Sequence, residues 1–178
     1  MVAVRYGRAI RFMRLDGEQS LGSEFQEYMK LKGITVERTP PYTQAQNGHS
    51  ERAGRTLITA ARAIQLYANL PINLWPEAYR TAGYLINRLP HRQLHWKSPY
   101  EAVLGRKPNL AHLYLFGCTA YSLIHNIPKL KKPLPRASVG YLVGYDSSNI
   151  YRIWNPRTGT VFRTRDVTFD ESAIYQPG

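Results

Sequence analysis

Cysteine is nearly missing from this chain: Cys118 is the only one among 178 residues. No disulfide framework can close within one such chain, and one Cys with five scattered His cannot build a zinc finger. A reducing compartment fits. Long apolar runs are missing too, and none approaches the ~20 residues of a membrane span. Residues 1–10 carry Arg5 and Arg8 but no apolar stretch of signal-peptide length, and Pro177-Gly178 carries no lipidation motif. The expectation is an intracellular protein, nuclear or cytoplasmic, without a membrane partner. Acid is scarce: 12 Asp and Glu face 24 Lys and Arg, for a net charge of +12 and a pI of about 10.0. That imbalance favours a polyanionic partner, DNA or RNA, with no small-molecule substrate expected. Net charge speaks to association and not to fold, so a merely basic globular protein is the plainer alternative.

What the chain does have is core-forming material. Hydrophobic residues make up 43% and aromatics 12%, enough for one medium domain or two small ones. Residues 10–15 alternate, with Ile10 and Phe12 on one side and Arg11 and Met13 on the other, as in a strand. Asp16-Gly17 breaks it. Ser23 caps a helix carrying Phe25, Tyr28, Met29 and Leu31, with Gly33 just past its end. Ile34-Thr35-Val36 reads as a short strand. Thr39 to Gly48 reads as a loop, since Pro40-Pro41 forbids helix and Asn47-Gly48 marks a turn. A helix is expected from Ser50 to about Ala68. Its stripe is Leu57, Ala61, Ile64 and Ala68, and Glu51, Arg52, Arg55, Thr59 and Arg62 fall largely off it. Further helices are expected at 73–87 and 98–104, the latter with Pro99 in its first position. After Gly117 the texture changes to strand-like runs at 120–125, 138–145, 150–154 and 161–169, which suit a small antiparallel barrel. The domain boundary is placed between Gly105 and Gly117, giving domains of about 1–108 and 109–178.

Asp16 follows a strand and is the only acidic residue at or before position 16, while Glu51 opens a helix. Two such carboxylates can converge on divalent ions that activate a hydroxyl nucleophile and stabilise a leaving oxygen, and Mg²⁺ or Mn²⁺ suits carboxylate oxygen. The intervening loop offers Tyr42, Thr43, Gln44, Gln46, Asn47 and His49 to a substrate. Plainer readings stand beside this. Asp16 before Gly17 is a common turn residue. Glu51 favours a helix start and can pair with Arg55 at i+4. Arg52, Arg55 and Arg62 are either a solvated face or a DNA-facing row. Trp75, Tyr79 and Tyr84 read as core.

The string Pro41-Tyr42-Thr43-Gln44-Ala45-Gln46-Asn47-Gly48-His49-Ser50-Glu51-Arg52 resembles the block that ends in the catalytic glutamate of retroviral-type integrases. Followed by Arg55-Thr56-Leu57, it looks like the copia-type retrotransposon branch. Trp75-Pro76-Glu77-Ala78, Asn87-Arg88-Leu89-Pro90, Ser98-Pro99-Tyr100-Glu101, Gly105-Arg106-Lys107-Pro108 and Phe116-Gly117-Cys118 recur there in this order. Gly140-Tyr141-Leu142-Val143-Gly144-Tyr145 and Arg165-Asp166-Val167-Thr168-Phe169-Asp170-Glu171 are similar to the SH3-like segment after the integrase core. The resemblance covers about residues 10 to 172. It implies an α/β RNase H-like core, here incomplete, followed by a small all-β SH3-like barrel. It also implies an Asp, Asp, Glu triad with Mg²⁺ or Mn²⁺, in which the second Asp falls on Asp16 and the Glu on Glu51. The first Asp belongs to an earlier strand that these residues do not include, and the zinc-binding His/Cys region is absent as well. Asp16-Gly17-Glu18-Gln19 stands where the family commonly has Asp-Asn-Gly-Gly-Glu, and Gln44 replaces a usual Pro.

The first expectation is therefore a fragment of a retrotransposon integrase, ancestrally a polynucleotidyl transferase joining DNA strands, and inactive alone. Tyr42, Gln46, Asn47, Arg52 and Arg55 would lie near DNA. The second is a non-catalytic nucleic-acid-binding module using charge alone, including Lys131 and Lys132 in the run Lys129–Arg136, which also reads as a solvated connector. The third is an assembly role for the barrel, with Tyr141, Tyr145, Tyr151 and Trp154 lining a groove or filling the core. Loss of early strands would leave an exposed sheet edge and a tendency to self-associate.

Overall fold

A computed structural model describes residues 9–15, 22–38, 44–124 and 136–177, with backbone alone at 14, 38 and 44–50. Two compact units, Met1–Arg55 and Thr56–Gly178, divide the chain.

In the first unit, β1 (Phe12–Leu15) and β2 (Thr35–Arg38) pair in parallel, Phe12 opposite Thr35 and Leu15 opposite Arg38. Parallel neighbours need a crossover, and α1 (Ser23–Leu31) supplies it. Met29 is the buried residue of α1, with Phe25 half-buried one turn earlier, while Tyr28 and Leu31 stay exposed. Gly33 takes φ 66° past the helix end, and the Ile34 N–H donates to the Met29 carbonyl at 2.9 Å, closing the last turn. Phe12 remains 65% exposed on this two-stranded pair.

The following helix, α2, spans Gln44–Ala68. The expected loop through Gly48 is corrected over residues 44–48, and Glu51 stands about two turns inside the helix instead of opening it. Asn and Gly each cost up to ~1 kcal/mol in a helix, but extending an existing helix fixes one residue per bond gained, and Gln44, Ala45 and Gln46 are good helix formers. The apolar stripe turns inward as expected: Ala61 and Ala68 are buried and Leu57 and Ile64 half-buried.

The second unit packs helices against a five-stranded antiparallel sheet. Gln65, buried at the end of α2, donates from Nε2 to the Leu70 and Pro71 carbonyls at 2.7 and 3.0 Å and ties down the turn. Then come α3 (Trp75–Ile86) and α4 (Pro99–Leu104). Ser98 caps α4 by accepting the Glu101 N–H at 3.1 Å, Pro99 takes the first position, and Gly105 ends the helix at φ 71°. The strands are β3 (Cys118–Leu123), β4 (Ala137–Tyr145), β5 (Tyr151–Asn155), β6 (Thr160–Thr164) and β7 (Val167–Ile174), in sheet order β6-β5-β4-β3-β7. The single run expected at 161–169 is thus two strands, split at Arg165-Asp166.

That split curls the sheet. Strands β6 and β7 are its two edges, which in a flat sheet would lie about 19 Å apart. Thr164 and Val167 are three residues apart and can reach no more than about 11 Å. The sheet must therefore bend round on itself, in keeping with the barrel expectation. Its faces bury different cores. Cys118, Ala120, Leu142, Tyr145, Tyr151 and Ile153 form one cluster, with Phe162 and Phe169 against it. Val143 and Trp154, pointing the other way, join Ala68, Leu70, Leu74, Ala78 and Phe116 from the helices. The alternation of Leu142 with Val143 and of Ile153 with Trp154 is the two-residue period of a strand buried on both faces. Tyr145, Tyr151 and Trp154 are core residues and Tyr141 is half-buried, which corrects the groove alternative.

The boundary expected near residue 108 falls inside this second unit. The physical link is α3: Thr81 Oγ1 donates to the Val143 carbonyl at 3.0 Å, and Arg152 on β5 makes a two-pronged bond to Glu77 at 2.6 and 2.6 Å. Tyr79 of α3 is exposed, against the expectation of core, while Trp75 and Tyr84 are half-buried.

Candidate nucleic-acid interface

Of the residues singled out from the sequence, Asp16, Tyr42, Lys131 and Lys132 lie outside the described residues. Asp16 follows directly on Leu15, the last residue of β1. Gln46 and Asn47 belong to the backbone of α2. Glu51, Arg52 and Arg55 are exposed on the same helix. Positions 51 and 55 are four apart and 52 and 55 three apart, so these three share a face. It presents one carboxylate beside two guanidinium groups. Arg62, in the second unit, is also exposed. Among the described residues, no three His, Cys, Asp or Glu side chains gather as metal ligands. Among them, no helix is long and apolar enough to cross a membrane.

Charge is distributed unevenly. Between Arg52 and Tyr145 the sequence holds 13 of the 24 Lys and Arg but only two of the 12 acids, Glu77 and Glu101. Glu77 is consumed by Arg152, whose own protonated state is reinforced first by that hydrogen bond and further by the charges of Glu77 and Asp146, against the cost of burial. Asp146 accepts from Arg163 at 2.6 Å and lies 3.4 Å from Arg80 and 3.6 Å from Arg152. The pairs of Glu77 with Arg152 and of Arg80 with Asp146 fasten α3 to the sheet. They leave Glu101 as the remaining acid of the middle segment.

A second polar group lies at the other end of α3. The Tyr84 hydroxyl and His112 Nε2 are 2.8 Å apart, Tyr84 stacks on Tyr145, and the Arg88 guanidinium lies 3.4 Å over the Tyr84 ring. Burial, then the Arg88 charge, hold the His112 pKa below its ordinary value. This cluster is internal and braces the barrel against α3. Tyr145 extends it by donating to the Tyr114 carbonyl at 2.5 Å.

Residues 118–178 match the model of the retroviral polymerase SH3-like domain. The retrovirus-related Pol polyprotein from transposon TNT 1-94 of Nicotiana tabacum is 36% identical over 172 residues, covering 94% of this chain and 13% of that protein. The Pol polyprotein from transposon RE2 of Arabidopsis thaliana is 35% identical over 156 residues, covering 84% of this chain and 10% of that protein. The chain belongs to the copia-type retrotransposon Pol polyprotein family. It spans roughly a tenth of those polyproteins' length. An uncharacterized mitochondrial protein of Arabidopsis thaliana is also similar, 32% identical over 112 residues, which is 60% of this chain and 89% of that one. Among solved structures, a chain of the simian T-cell lymphotropic virus intasome in complex with PP2A regulatory subunit B56 gamma aligns at a TM-score of 0.47 and 18% identity, over 93% of this chain and 58% of that one.

Within this copia-type polyprotein segment, the SH3-like match covers all five strands of the curled sheet from Cys118 on. Two features escaped sequence reading. The crowding of positive charge between Arg52 and Tyr145 was available as a simple count. The exposure of Trp96, described below, was not, because aromatic residues between helices read equally well as core.

Proposed function

We propose that this chain is the part of a retrotransposon integrase that carries the last two of three metal-binding carboxylates, Asp16 and Glu51, on an incomplete RNase H-like core. The observation that carries the reading is Glu51 exposed on α2 beside Arg52 and Arg55, in a chain of the copia-type Pol family. Carboxylate oxygens suit Mg²⁺ or Mn²⁺, and Asp16 is the next residue in the sequence after Leu15, which ends the parallel strand β1; α/β sheets commonly bind ligands outside the carboxyl ends of such strands. A bound divalent ion supplies the charge that an in-line phosphoryl transfer requires. Arg52 and Arg55 neutralise backbone phosphates of the DNA, with Tyr42, Gln46 and Asn47 positioning it. The 178 residues hold no carboxylate before Asp16, so alone they leave a metal under-coordinated and transfer no strand.

The test is a strand-transfer assay on the 178-residue chain alone, and then with the upstream part of the polyprotein supplied in trans. Transfer is expected only in the second case, and Glu51→Gln should lower it at least about 100-fold, the scale of losing one group that stabilises transition-state charge. Robust metal-dependent transfer by the chain alone, or indifference to Glu51→Gln, contradicts the proposal.

A second reading is supported by the charge distribution: the chain also binds nucleic acid without catalysis, through the basic middle segment and Lys131 and Lys132. Phosphate neutralisation releases counterions, so affinity should fall by about 10³ or more between about 50 and 200 mM salt if six or more phosphates are contacted. A salt-independent affinity contradicts it.

A further inference from the structure

The connection between α3 and α4 has an unusual backbone. His95 and Trp96, neither of them glycine, both adopt left-handed φ, 52° and 63°. L-residues avoid this region, and two in succession persist only where the surroundings dictate them. Here they do. The Leu94 and Trp96 N–H groups both donate to the His91 carbonyl at 3.0 Å, His95 N–H to Arg92 at 3.1 Å, Lys97 N–H to Leu94 at 3.0 Å, and His91 N–H back to Lys97 at 3.0 Å. The neck is fixed as well: the Tyr100 N–H donates to the Asn87 carbonyl at 2.9 Å, and Ser98 is buried as the cap of α4.

This bonding does not hide the largest side chain in the loop. It presents it: Trp96 is 70% exposed. Around it Arg92, His95 and Lys97 are also exposed, and no Asp or Glu occurs anywhere from Ala78 to Tyr100. A hydrogen-bonded loop that exposes an indole together with Arg92 and Lys97 offers the two requirements of a nucleotide-stacking platform, a π-face and positive charge for the phosphate. The π-face also selects. Inside a duplex each base covers its neighbours' faces, so away from a duplex end only an unpaired base can lie flat on the indole.

We infer that the loop 91–97 is a binding site for an unpaired nucleotide of a DNA or RNA strand, which stacks on Trp96 while Arg92 and Lys97 engage the flanking phosphates. The site deepens the nucleic-acid reading above and rests on it. Its position is set wholly within the second compact unit, and it needs neither Asp16 nor Glu51.

The experiment uses the full chain and fluorescein-labelled oligonucleotides of about 12 nucleotides, thymidine DNA, uridine RNA and a DNA duplex closed at both ends by non-nucleotide linkers, with binding followed by anisotropy at low salt. Trp96→Ala should weaken single-strand binding at least about fivefold and leave duplex binding unchanged, and Trp96→Phe should restore most of the loss. The two single-stranded probes separate DNA from RNA as the preferred source of the base. Trp96→Gly relieves the left-handed strain, so it should lose stacking without lowering the melting temperature, which separates the contact from a structural role. Equal single-strand affinity for the parent chain and Trp96→Ala overturns the inference while leaving the nucleic-acid reading intact. Absence of binding to any probe overturns both. A Trp96-dependent dimer that forms without nucleic acid also overturns it, and assigns the loop to contacts between copies.

Discussion

Cys118 and His112 show how burial sets chemistry at single residues. The Cys118 thiol, fully buried in the barrel, is pushed up to about 12, first by burial and then by the negative charges of Glu171 and Asp170, against a backbone hydrogen bond that favours the thiolate. The thiolate is the reactive form, so native protein at about pH 8 should resist iodoacetamide, with rapid alkylation once denaturant is added. Fast modification of the folded chain would contradict its burial. For His112 the sign runs the other way. Its folded pKa lies below the ordinary 6.5. It is faced by Tyr84 from α3, Arg88 just past the end of that helix, the edge of Tyr145 from β4, and Tyr151 from β5, whose hydroxyl reaches the His112 carbonyl at 3.4 Å. As pH falls through 6.5 the unfolded chain takes up a proton that the folded one resists. The stability this histidine contributes is therefore present above that pH and lost below it. The urea midpoint should drop between about pH 7.5 and 5.5, and His112→Asn should flatten that slope. An unchanged slope in the variant would move the effect to other groups.

At the scale of elements, close approach of backbone to backbone decides more than propensity does. Gly117 takes φ 84°, and a Cβ there would lie 2.5 Å from the Ala68 Cβ at the end of α2. Gly117→Ala combines left-handed strain with overpacking against a buried helix end, for an expected loss of about 2–5 kcal/mol. Gly54 has open space around it in α2, and Gly54→Ala should instead stabilise by about 0.5–1 kcal/mol. Urea unfolding of the two variants checks both signs. These elements also show what could be read from the chain. The α2 stripe, the Ser98-Pro99 start and Gly105 stop of α4, and the alternation along β4 and β5 were legible, because each is a local pattern with a local cause. The start of α2 was not. Asn47-Gly48 has the chemistry of a turn, and only the cooperativity of the helix around it overrides that. Nor was the break between β6 and β7: Thr164-Arg165-Asp166 is as compatible with a strand's exposed edge as with a corner, and only the pairing of β7 with β3 makes it a corner. The exposure of Trp96 depends on a hydrogen-bonded loop with two left-handed residues, for which the local sequence carries no glycine as a signal.

For the whole molecule, the distribution of charge and the arrangement of carboxylates make different demands. Positive charge gathers between Arg52 and Tyr145, and the proposed binding of nucleic acid asks for no more than that. Strand transfer asks more. Under the proposed reading Asp16, which follows Leu15 in the sequence, and Glu51, two turns into α2, would serve one divalent site, although α1 and β2 lie between them in the sequence. The motif singles out Glu51, but its placement within the helix was not legible, for the reason that governs α2. The most direct measurement is a titration of the full chain with Mn²⁺, read as paramagnetic broadening of assigned amide resonances. The account predicts that residues around positions 16 and 51 broaden together at the same low Mn²⁺ concentration, and that Asp16→Asn or Glu51→Gln abolishes both effects. Broadening confined to one of the two regions, or unchanged by either substitution, would contradict it.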